Sequence, residues 1–110
     1  MTGKSFEGIL LEAIDEALAS LGESAKQSIY YHLEEKFKLP RKEIPKRIGD
    51  FAEGLEKIFG IGARFLEILI MRKLYDRIGM PLEWDERKEF VFVNYVEAAR
   101  ESFKKGKARR

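Results

Sequence analysis

The sequence predicts an all-α protein, a compact bundle of four to five helices built around a central, mostly buried fourth helix. Three observations carry this. Apolar residues recur at helical spacing along most of the chain. Glycines and prolines fall between the periodic segments, where helices start and stop. One segment, GARFLEILIMRKLYDRI over 62–78, is apolar on most of its sides, as expected of a helix covered on most sides. The chain has 110 residues, 45% of them hydrophobic, near the commonest size for one domain with one core. Residues 1–103 are read as a single helical domain and 104–110 as a basic, flexible tail.

The first helix is predicted from Ser5 to Leu21, where Phe6, Ile9, Leu10, Ala13, Ile14, Ala17, Leu18 and Leu21 share one stripe and Gly22 supplies the stop. The pattern Ser24-Ala25-Lys26-Gln27 fits a capping box, in which the two side chains satisfy each other's orphan amides. A second helix then runs to about Phe37 and ends on the approach to Pro40. In LPRKEIPKRIGD, two prolines forbid a regular helix. Pro45 suits the first position of a third helix, because Ile44, Ile48, Phe51, Leu55 and Ile58 form one stripe. Alternatively Gly49 breaks that run and Asp50 caps a shorter helix, with Glu53 reaching back. Gly60 closes the segment in either case.

In the fourth helix, Lys73 and Arg77 favour the C-terminal end of the dipole, Gly79 follows, and Pro81 lies just beyond. Asp85 is placed to cap a fifth helix reaching about Phe103. Its run FVFVNYV over 90–96 would pass as a strand, but a strand without a partner run is marginal in water, so helix is preferred. Glu101 sits four residues before Lys105 as a supporting pair.

Composition excludes several functions. No cysteine is present, which removes disulfides, thiolate metal sites and cysteine nucleophiles. No apolar run is long enough to span a membrane, and the N-terminal segment mixes acids into its apolar pattern, unlike a secretory signal. A cytoplasmic location and no membrane partner are expected. Charged residues reach 36%, with one Gln and one Asn, a composition associated with thermophiles. The net charge is +2, yet residues 1–103 hold 16 basic and 19 acidic side chains. The positive balance comes from the tail, KKGKARR.

His32, the only histidine, lies in Tyr30-Tyr31-His32. A catalytic histidine needs a nucleophile or substrate proton within reach and a third group to orient it. A metal site needs further His or Cys ligands, and Ile29 stands where a Glu-x-x-His motif would place its carboxylate. Tyr30 is read as a core-edge aromatic and Tyr31 as pointing away from the apolar face. Gly60-Ile61-Gly62 begins like a dinucleotide fingerprint, but no strand precedes it and Phe65 replaces its third glycine. A helix-to-helix turn explains both glycines. Neither a catalytic residue nor a cofactor or metal site is expected.

The segments LGESAKQSIYYHLEEKF, KEIP and FAEGLEKIFGIGARFLEILIMRKLYDRIG, in that order, resemble a family of small archaeal helical domains, the Nitrosopumilus-type output domains, proposed as effector modules in signalling. The resemblance spans about Phe6 to Gly79. It implies a readout role with a protein partner and carries no assigned functional residue. The region after Pro81 lies outside it.

Two roles follow as expectations. The first is a non-enzymatic interaction and signalling module that self-associates as a homodimer, with Tyr31, Met71, Tyr75 and Ile78 as candidate contacts. The second is a nucleic-acid-binding regulator using Arg41, Lys42, Lys46 and Arg47 with Lys104 and Lys105 of the tail. Basic residues near a helical connection are the usual electrostatic footprint of such binding. The acidic balance of the rest of the chain weighs against a broad phosphate-binding face.

Overall fold

A computed structural model describes residues 5–81 and 91–108, and every regular element in them is helical. Helix α1 spans Phe6–Ala19, α2 Glu23–Phe37, α3 Ile48–Phe59, α4 Ala63–Ile78 and α5 Phe92–Ala108. Short 3-10 segments at Arg41–Lys46 and Gly60–Gly62 join α2 to α3 and α3 to α4. The all-α bundle is as the periodicity predicts. No helix among the described residues is long and apolar enough to cross a membrane.

Local chemistry accounts for the helix ends. Ser5 caps α1 by accepting from the Gly8 amide at 3.1 Å. The predicted capping box at Ser24 does not form. Gly22 precedes α2 instead, which puts Ser24 inside the first turn, and the Gln27 side chain donates to the Glu23 carboxylate. Gly79 adopts the left-handed conformation that closes α4, and the Met80 amide reaches back to the Tyr75 carbonyl. That is the paired closure glycine permits at low cost.

Neither predicted start for α3 is the observed one. Pro45 lies buried inside the 3-10 segment, and Asp50 falls in the first turn of α3. The boundary is Arg47, whose guanidinium joins Glu43, Asp50 and the Lys38 carbonyl. The apolar stripe survives the change of helix type: Ile44, Ile48, Phe51 and Leu55 are all buried.

Helix α5 begins at Phe92, with Val91 outside it. The predicted cap Asp85 lies outside the described residues. From Phe92 the strand-like run is helical, and Phe92, Val96 and Ala99 are buried at i, i+4 and i+7. The helix continues to Ala108, beyond its predicted end at Phe103, so Lys104 and Lys105 are helical residues. Lysines are good helix formers and suit a helix C-terminus.

Helix α4 packs against α1 most extensively, then α5 and α3. These neighbours bury Leu66, Ile70, Met71, Leu74 and Tyr75. Close approach of α2 to α3 depends on Gly54, where a Cβ would lie 2.6 Å from Leu33 Cδ2. The Phe51–Phe92 and Phe6–Phe103 ring pairs tie α5 to α3 and α1.

Candidate interaction surface

The sharp elbow between α3 and α4 concentrates the exposed apolar surface. Gly60 takes φ 61° and ψ −135°, a conformation open essentially to glycine. The single 3-10 turn after it leaves Ile61 96% and Phe65 79% exposed, with Phe59 at the margin. Scattered apolar exposure is ordinary, but large side chains grouped at one corner mark a contact surface. Sequence reasoning missed this group by counting Phe65 among residues covered by the bundle. The available signal was Ile61, a large aliphatic residue between two glycines where a turn ordinarily carries polar groups.

Beside Ile61 opens a cavity of about 350 Å³ lined by Glu56, Gly60, Ile61, Ala63, Arg64 and Glu67. Glu67 is only 7% exposed and has no hydrogen bond or ion pair among the described residues. No fully sealed side-chain oxygen or nitrogen lacks a partner among the described residues. The Glu67 carboxylate therefore meets its surroundings through the cavity. Burial raises its pKa, Glu56 adds to the rise, and Arg64 opposes it.

Carboxylates on α1 are paired. Asp15 accepts from Tyr30 Oη and from Arg41, whose guanidinium also lies over the Tyr30 ring. Burial works against the Asp15 carboxylate, but the Arg41 and Tyr30 hydrogen bonds win and hold its pKa below the usual range. Burial and the same carboxylate push the Tyr30 hydroxyl up. Arg77 bridges Glu12 and Glu16 at 3.0 and 2.6 Å, linking α4 to α1. Arg100 contacts Glu7, the Pro45 carbonyl and the Phe6 ring.

These pairings bear on the predicted basic contacts. Arg41 and Arg47 direct their donors to their own chain. Lys42 and Lys46 are exposed, as are Lys104 and Lys105. Because Arg100 holds the Pro45 carbonyl at 3.1 Å, α5 passes beside the 3-10 segment. Lys104, one helical turn beyond Arg100, thus shares that end of the bundle with Lys46.

The predicted self-association residues separate. Tyr31 is 65% exposed on α2, edge-on to the exposed His32 ring. Met71 and Tyr75 are core residues, and Tyr75 Oη donates to the Tyr95 carbonyl at 2.8 Å. Covered by their own neighbours, both are out of reach of a second copy. Ile78 is half-buried against the same core. A second cavity of about 420 Å³, between Tyr75, Met80, Pro81, Asn94, Tyr95 and Ala98, is mainly apolar. No group of three or more potential metal-ligating His, Cys, Asp or Glu residues occurs among the described residues.

Comparison with protein-family models, curated proteins and solved structures returns no match. The resemblance to archaeal output domains thus rests on the sequence segments that carry it.

Proposed function

We propose that this chain is a non-enzymatic protein-interaction module that associates with a second copy of itself through the α3–α4 elbow. The observation that carries the reading is the exposure of Ile61 and Phe65, at 96% and 79%, at one corner. Removing such side chains from water is the principal driving force for association. A two-fold dimer is the default symmetry for identical chains. The resemblance to output domains adds a cytoplasmic signalling role in an archaeal, thermophilic setting, with the dimer as the form that meets a downstream protein.

Sedimentation velocity across a concentration series tests this. A concentration-dependent dimer that Ile61→Glu disrupts supports the reading, and a monomer throughout the micromolar range overturns it.

The second reading is nucleic-acid binding. It draws on the shared placement of Lys46 and Lys104, with Lys42 and Lys105 nearby in sequence. Against it stand the intramolecular pairing of Arg41 and Arg47 and the Glu7 carboxylate beside Arg100 and Lys46. Anisotropy of labelled duplex DNA and single-stranded RNA at low salt distinguishes the two. Binding driven by phosphate contacts must weaken steeply as salt rises.

A further inference from the structure

We infer that the elbow cavity is a binding site for a small organic monocation, an alkylammonium or alkylguanidinium whose charge meets the Glu67 carboxylate. The cavity, about 350 Å³ between α3 and α4, falls within the roughly 300–1,000 Å³ typical of small-molecule sites. Glu67 lines it, is 7% exposed, and has no hydrogen bond or ion pair among the described residues. Buried polar groups are ordinarily hydrogen-bonded and buried charges paired. A buried carboxylate left over at a cavity wall has the chemistry of a recognition group.

The lining selects the ligand by charge and by shape. Glu56 and Glu67 against Arg64 leave one negative charge over among the described lining residues, which a single positive charge neutralises. Burial and Glu56 both disfavour the charged form of Glu67, and Arg64 offsets them only in part. A bound cation supplies the missing compensation. Ile61 and Ala63 give the cavity an apolar wall along which a short alkyl stem can lie. An anion is repelled by the excess negative charge, and a neutral molecule leaves it uncompensated. A metal ion fits poorly, because no group of three potential ligands is present among the described residues.

This site is separate from the exposed apolar face of α4. Successive helical residues are about 100° apart, so Phe65 and Glu67 point to opposite sides of the helix. The inference therefore does not rest on self-association.

The test is an NMR titration of the isotope-labelled full chain with n-butylammonium chloride at constant ionic strength. Saturable shifts are expected in the amides of Gly60–Glu67, with a dissociation constant of about a millimolar, the scale open to so small a ligand. n-Butanol, which keeps the stem and lacks the charge, should give no saturable shift. Glu67→Gln should weaken binding about tenfold or more while the spectrum keeps the dispersion of a folded chain. Arg64→Gln, at an exposed position, should tighten binding about threefold, because it removes a like charge. Binding that Glu67→Gln leaves unchanged, an equal response to n-butanol, weaker binding in Arg64→Gln, or no saturable shift at the elbow each overturns the inference. A monomer that binds the cation overturns self-association and leaves this site standing. A dimer without a cation response does the reverse.

Discussion

The α1 face and the α3–α4 elbow treat their carboxylates in opposite ways. On α1, Glu7, Glu12, Asp15 and Glu16 each meet an arginine delivered by a distant part of the chain. At the elbow, Glu67 is more deeply buried than any of them and meets no hydrogen-bond or ion-pair partner among the described residues. Pairing on α1 accounts for how α4, α5 and the 3-10 segment are held around that helix. An unpaired buried carboxylate opposes folding, and with Ile61 and Phe65 exposed at the same corner the elbow is costly for an isolated chain. The contrast teaches that changes to α1 should act on stability, while changes to the elbow should act on association.

The largest expected effect is at the elbow. Replacing Ile61 and Phe65 together by Glu should weaken dimerisation by about a hundredfold or more, the scale of interface hot spots. The melting temperature of the monomer should barely move, because both residues are exposed. A large loss of monomer stability would break the division between the two regions.

Next comes the α1 face. Asp15→Ala removes the acceptor of the half-buried Tyr30 hydroxyl and the partner of Arg41, at an expected cost of about 1–2 kcal/mol. Chemical denaturation measures that loss, and the dimer constant should be unchanged. The pairings were not readable in the sequence: Arg41 and Asp15 lie 26 residues apart, and Arg77 and Glu12 lie 65 apart. Only packing decides which arginine meets which acid. Arg41, Lys42, Lys46 and Arg47 therefore read as an available cationic patch, although the two arginines are used internally.

Glu67→Met sharpens the contrast, because the two regions should respond with opposite signs. Removing an unpaired buried carboxylate should stabilise the monomer by about 1 kcal/mol, where Asp15→Ala destabilises it. The pH dependence separates the regions too. Asp15 and Glu7 have lowered folded pKa values. Their contribution is present above the unfolded carboxylate pKa and lost as pH falls through the folded one. Glu67 has a raised value, so its contribution is fully present below the unfolded pKa and lost as pH rises through the folded one. Melting curves of wild type and Glu67→Gln at low protein concentration should therefore diverge with rising pH, the variant gaining relative stability. Parallel curves would remove Glu67 as an unpaired buried acid.

The smallest expected effect is Arg77→Ala. Its pairs with Glu12 and Glu16 lie at the solvent-facing α1–α4 seam, where exposed ion pairs contribute little. The melting temperature should change too little to resolve.

The sequence by itself determined the helical class, the stripes of α1 and α3 and the closing of helices near Gly60 and Gly79. It did so because helical periodicity and glycine backbone freedom are local properties, readable within a turn or two. It also placed α4 at the centre of the bundle, where α1, α3 and α5 pack against it. What it could not assign was the uncovered side of that helix. Phe65, Met71 and Tyr75 are equally apolar as letters, yet Phe65 faces outward while α1, α3 and α5 close over the other two. Only the tertiary structure decided this, because burial depends on where neighbouring helices land. For the same reason, whether a charge such as Arg41, Arg72 or Glu67 has a partner is a property of the assembled bundle rather than of the residue.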